Sequence, residues 1–197
     1  MNKESTRDLL LDAAKRQFIR NGFDGVSMMD IARESGMSRR TLYSYFESKG
    51  DIYNAAVKRE TDLVVTKLHG LVIPGTPASK KITDYVYGRF HIIKEMVDRN
   101  GTLRSFFFRN NWNLEHFRKE LDRQEKQILI DIVVEGVTQG MFDVPNVNLI
   151  VEMIQDGMRG FEYTFIRGII WKTASHEDVR QIAANILFSM LGYKENK

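Results

Sequence analysis

The stretch Ser27–Phe46, SMMDIARESGMSRRTLYSYF, decides how the rest of the chain is read. Ser27 followed three residues later by Asp30 has the pattern of a capping box, in which each side chain satisfies the other residue's backbone N–H, so a short helix opens here. Ile31 and Ala32 are its inward residues. Ser35-Gly36 stops it, because glycine accepts the left-handed backbone in which helices often end. Ser38 caps a second helix that carries Leu42 inward and ends near Phe46. Two helices joined by so short a turn need a small residue at their crossing, a residue free to turn left-handed, and apolar anchors on both. Ala32 is the small residue, Gly36 the turn, and Ile31, Met37 and Leu42 the anchors, so the stretch reads as a helix-turn-helix. Arg39, Arg40, Thr41, Tyr43, Ser44 and Tyr45 are left on the outer side of the second helix.

Upstream, Ser5 with Asp8 matches another capping box, and a helix is expected from there to Asn21-Gly22 with Leu10, Ala13, Ala14 and Phe18 on one face. Downstream, Ser48 caps a longer helix from Lys49 towards His69. The run Ile73-Pro74-Gly75-Thr76-Pro77 holds two of the three prolines and ends it. Periodic stretches follow at 79–100, 103–113, 115–139 and 146–167, then a helix over 175–191 opened by Ser175 and Asp178. Nothing alternates with the period of a strand. The fold expected is all-α: a helix-turn-helix DNA-binding domain over residues 1–50, a connecting helix over 51–72, and a larger helical domain over 78–197.

Composition narrows the function. With 197 residues and 43% hydrophobic content the chain can bury a core unaided. It has no Cys, which excludes disulfides, thiol nucleophiles and CxxC metal sites and fits a reducing compartment, so a cytoplasmic location is expected. The polar start lacks a signal-peptide core, and no apolar run approaches the roughly 20 residues a bilayer requires. A net charge of +3 with a pI near 9.0 does not by itself point to nucleic acid. Its distribution does: over residues 38–49, Arg39, Arg40 and Lys49 face a single acid, Glu47.

The segment LLLDAAKRQFIRNGFDGVSMMDIARESGMSRRTLYSYFESKGDIY, about Leu9 to Tyr53, resembles the TetR family of bacterial transcriptional regulators. The Ala-Ala, Phe, Gly-Phe, Ile-Ala, Gly-Met-Ser, Thr-Leu-Tyr, Tyr-Phe and Ser-Lys elements all occur in order. The resemblance implies a homodimer whose N-terminal units dock recognition helices in the major groove of an operator while the helical remainder binds an effector and dimerises. By position it implies that Ser27 and Ser38 meet phosphates at helix starts, that Tyr45 and Lys49 contact the DNA backbone, and that Arg39, Arg40, Thr41 and Tyr43 reach base edges. Three positions depart from the family pattern. Arg40 stands where a small residue is frequent, Gln17 where an apolar one is usual, and Gly50-Asp51 where an acidic pair follows the lysine.

Beyond Pro77 the chain carries no comparable motif. Large adaptable side chains suit either an apolar effector cavity or a dense core. Phe90, Phe107, Trp112, His116, Met153 and Phe161 are the candidate effector contacts. The last two long helices place Ile150, Ile154, Phe161 and Val179, Ile182, Ile186, Met190 where a four-helix dimer interface would need them, and Gly157 and Gly160 would permit close approach. No metal-ligand cluster, cofactor motif or catalytic constellation is present, so no metal, cofactor or enzymatic activity is expected. The function expected is that of a TetR-like regulator, a repressor that binds a palindromic double-stranded DNA operator as a dimer and is released by a small, largely apolar effector. The alternative is a helical small-molecule-binding or interaction protein without sequence-specific DNA binding.

Overall fold

A computed structural model describes residues 3–99, 112–166 and 175–194. Among them are eight helices and no strand: α1 (Lys3–Asn21), α2 (Met28–Ser35), α3 (Arg39–Tyr43), α4 (Lys49–His69), α5 (Ala78–Arg99), α6 (Trp112–Thr138), α7 (Val147–Ile166) and α8 (His176–Met190). The chain divides into two compact units, Met1–Leu63 with Val97–Phe117, and Val64–Met96 with Arg118–Lys197.

In the first unit, α1 buries Leu10, Ala13, Ala14 and Phe18, the inward stripe expected from a 3.6-residue period. It stops at Gly22, whose φ of 71° is left-handed and whose N–H bonds the Phe18 carbonyl at 3.0 Å. The Ser5–Asp8 capping box does not form. Helix α1 already runs from Lys3, so Ser5 is an exposed residue within its first turns, whereas a cap requires a non-helical backbone. The Phe18 and Phe23 rings meet Tyr53 of α4 edge-on, at 5.1 and 4.9 Å between centroids. Lys15 reaches Glu60 at 2.7 Å, and Arg59 pairs with Asp12, so charges bracket the α1–α4 contact.

In the second unit, Ile82, Tyr85 and Ile93 of α5, Leu129 and Ile132 of α6, and Val151 and Ile154 of α7 form the core. Helix α6 is unbroken from Trp112 to Thr138, where a break at residue 114 was expected; no Gly or Pro interrupts that stretch before Gly136. Gly136 lies against Phe142 so closely that a Cβ would stand 2.0 Å from the ring. The loop after α6 is pinned to the chain's end by Asp143 N–H to the Leu191 carbonyl (3.0 Å) and Lys194 N–H to the Met141 carbonyl (2.8 Å). No helix among the described residues is long and apolar enough to cross a membrane.

Candidate nucleic-acid interface and apolar cavity

The recognition segment is set up by local hydrogen bonds. The Ser27 hydroxyl accepts from Asp30 N–H at 3.2 Å, while the Asp30 carboxylate accepts from Ser27 N–H at 3.0 Å and from its hydroxyl at 2.5 Å. These bonds hold the Asp30 carboxyl below its ordinary range. Gly36 closes α2 with φ 68°, and Met37 N–H bonds the Ala32 carbonyl at 3.0 Å. Ser38 Oγ then accepts from Thr41 N–H at 3.0 Å to open α3. Leu42, fully buried, fixes which face of this five-residue helix turns outward.

That outward face carries Arg39, Arg40 and Tyr43, all exposed. The Arg39 guanidinium lies 5.7 Å from the Tyr43 ring centroid, and neither arginine pairs with a described acid. Thr41 and Tyr45 are half-buried, and Ser38, Arg40, Thr41 and Tyr45 line one groove together with Thr6 of α1. Ser27 and Ser38 are exposed at their helix starts. Lys49 is placed differently: its Nζ donates to the Phe23 carbonyl at 2.7 Å and sits 4.4 Å from the Phe23 ring centroid. Gln17, unusual for its position, is also accounted for. Its amide donates to Glu34 at 2.9 Å, and the same carboxylate takes Arg16 at 2.7 Å and Arg20 at 3.2 Å. The bonds from Arg16 and Gln17 hold the Glu34 carboxyl below its usual range and lock α1 to α2.

In the second unit a cavity of about 310 Å³ opens between α5, α7 and α8. Tyr87 and Phe90 of α5, Met158 and Phe165 of α7, and Leu187 of α8 line it, with the Phe90 and Phe165 rings 5.4 Å apart. Of the six candidate effector contacts, Phe90, Met153 and Phe161 meet at this cavity. Met153 and Phe161 form its rim, 52% and 55% exposed. Phe107 and the side chains of Trp112 and His116 lie outside the described residues. Among the described residues, no group of three His, Cys, Asp or Glu side chains could hold a metal ion.

Residues 10–56 match the family model described as "Bacterial regulatory proteins, tetR family". The chain is similar to the TetR family over this segment, about a quarter of its length. It is 43% identical over 58 residues to an uncharacterized HTH-type transcriptional regulator of Mycobacterium tuberculosis, a match covering 29% of each chain. Similarity to the HTH-type transcriptional repressor KstR2 of Mycolicibacterium smegmatis is lower, 24% over 177 residues, but spans 85% of this chain and 77% of that one. The fold is shared with the regulator FadR of Bacillus subtilis, solved in complex with stearoyl-CoA: TM-score 0.65, 19% identity, 95% of this chain and 99% of that one.

The core of the second unit also holds charge. Arg89, Glu125 and Glu162, from α5, α6 and α7, form a charge cluster buried to within a few per cent. Arg89 Nε donates to Glu125, and its Nη2 donates to Glu125 at 3.1 Å and to Glu162 at 3.0 Å. Burial opposes the charge on Arg89, but the two carboxylates outweigh it and the guanidinium stays protonated. Burial also pushes the Glu125 carboxyl upward, against the pull of Arg89. Among the described residues Arg89 Nη1 has no hydrogen-bond partner, and the buried Tyr85 hydroxyl lies near Glu125; burial first and that carboxylate second push the phenol upward. An unmatched buried donor costs about 1–3 kcal/mol. The signal was in the sequence: Ile82, Tyr85, Arg89 and Ile93 share one stripe of α5, so Arg89 occupies a core position.

Proposed function

We propose that this chain is a DNA-binding transcriptional regulator whose α3 enters the major groove of a palindromic operator. The observation that carries the reading is the pair Arg39 and Arg40, exposed on a short helix whose opposite side is anchored by the buried Leu42 and whose start is fixed by Ser38. A guanidinium held this way can bond the O6 and N7 acceptors of guanine in the major groove. Tyr43 stands beside Arg39 and stiffens it, Thr41 lies on the same turn, and Tyr45 and Lys49 flank the helix on the side of the phosphates. Ser27 and Ser38 offer helix starts to the same backbone.

Residues 1–50 carry the DNA contact, 51–72 the connection, and 78–197 the effector site and the dimer interface. The interface is assigned to α7 and α8, where Leu149, Met153, Phe161, Ile182 and Ile186 expose apolar surface that a soluble monomer rarely leaves uncovered; the last four also line the open side of the cavity, so a partner's helices packed there would close it. The effector is small and largely apolar, in keeping with the cavity walls and with the stearoyl-CoA held by FadR. Its binding favours a dimer whose recognition helices are wrongly spaced for the operator, so repression ends by a shift in population. The protein acts in the cytoplasm, with access to DNA. Anisotropy titrations with duplexes selected from a random library test this reading. Nanomolar, salt-dependent binding to a palindrome supports it, and binding that is indifferent to sequence and salt excludes it in favour of a non-DNA-binding helical module.

A further inference from the structure

Arg7 of α1 is exposed, and its guanidinium lies over the ring of Phe46, 5.3 Å from the centroid. Phe46 is itself buried at the end of the recognition segment, so the charge rests on a fixed platform. Such a contact draws on the charge of the guanidinium and commits none of its N–H donors to an acceptor. No acid among the described residues pairs with it: the neighbouring Asp8, and Asp12 one turn on, both face Arg59 of α4. Thr6 and Leu9, which bracket Arg7 in the sequence, line the same groove as Ser38, Arg40, Thr41 and Tyr45. The start of α1 therefore flanks α3, and Arg7 is a cation held at that flank with its donors unspent.

We infer that Arg7 is a further DNA contact, one that grips a backbone phosphate beside α3 and so helps to set how that helix sits in the groove. The inference rests on the DNA-binding reading given above. A helix in the major groove, about 12 Å wide, has a strand of phosphates along each side. A cation fixed at the flank of the helix meets those phosphates, and the base edges are left to its outward face, where Arg39 and Arg40 stand. The planar fork of a guanidinium can bond two oxygens of one phosphate at once. Lys49 shows the same arrangement: it rests on the Phe23 ring as Arg7 rests on the Phe46 ring, and both keep N–H donors for an anion.

The test uses the full-length protein, a duplex selected from a random library by the native chain and a scrambled duplex of the same length, titrated by anisotropy at several salt concentrations. Arg7→Ala is expected to bind both duplexes roughly tenfold more weakly at low salt, the ratio of one charge-assisted hydrogen bond, and to lower the salt slope by about one unit. Arg7→Lys is expected to keep the native slope, because it keeps the charge. Both variants are expected to melt with the native chain, since the side chain they alter is exposed. An unchanged slope in Arg7→Ala overturns the inference, whether or not the melting temperature falls. A loss confined to the selected duplex overturns it by making Arg7 a base reader, and a slope in Arg7→Lys as low as in Arg7→Ala overturns it by showing that charge is not what acts. If the native chain binds neither duplex, the DNA-binding reading fails and takes the inference with it.

Discussion

Lys49, the first residue of α4, donates a 2.7 Å hydrogen bond to the carbonyl of Phe23, in the turn after α1, and lies 4.4 Å from the centroid of its ring. One side chain thus ties together two segments separated by 26 residues, using one of the three N–H donors of its ammonium. A phosphate can take the remaining donors without breaking this tie.

Replacing that side chain should therefore act twice. Lys49→Ala is expected to lower the melting temperature, because the Phe23 carbonyl loses its partner at about 1 kcal/mol. It should also weaken duplex binding irrespective of sequence and lower the salt slope by about one unit. Melting curves and titrations at three salt concentrations read both effects. A lower melting temperature with an unchanged slope would make Lys49 a strut only.

The two exposed arginines should behave otherwise. Arg39→Ala or Arg40→Ala is expected to cost about 1–3 kcal/mol on the operator and much less on a scrambled duplex, with no change in melting temperature. Titration of each variant on both duplexes separates them. Equal losses on the two sequences would reassign that arginine to the phosphates.

Acid should loosen the first unit. Asp30 and Glu34 both have carboxyl pKa values held below their ordinary 3.8 and 4.5 by hydrogen bonds, from Ser27 and from Arg16 with Gln17 respectively. A depressed folded-state pKa gives stability that is complete above the unfolded value and is lost as pH falls through the folded one. Unfolding of this unit is therefore expected to become easier below about pH 4. Glu34→Gln should flatten that dependence in melts recorded from pH 7 to 3, and an unaltered acid limb would show that other groups control it.

Much of this unit was legible in its sequence because its signals are local. Ser27 finds Asp30, Ser38 finds Thr41 and Gly36 turns left-handed, each within three or four residues. The failures have equally physical causes. Ser5 and Asp8 fit a cap, yet Lys3 and Glu4 continue the helix ahead of them. The partner of Gln17 is 17 residues away on another helix, and that of Arg89 is 36 away. Such pairings arise from packing, and a reading that assigns charges to the surface passes over a buried Arg–Glu–Glu cluster. Met153 and Phe161 do line the cavity, but at its exposed rim, a placement that apolar character alone does not reveal.

The exposed apolar face of α7 and α8 supplies a further expectation. Ile182→Asp, at a position 58% exposed in the single chain, should leave helix content unchanged and convert a dimer into a monomer at micromolar concentration. Sedimentation velocity reads this directly. A variant that sediments with the native chain would move the interface elsewhere.

The most direct test of the central claim is selection of bound duplexes from a random library by the native chain, with Arg39→Ala and Arg40→Ala chains in parallel. A two-fold symmetric site is predicted, with half-sites about one helical turn (roughly 34 Å) or more apart and with altered base preference in the arginine variants. Failure of the native chain to enrich any sequence, or identical enrichment by all three chains, would contradict the assignment of α3 as the reader.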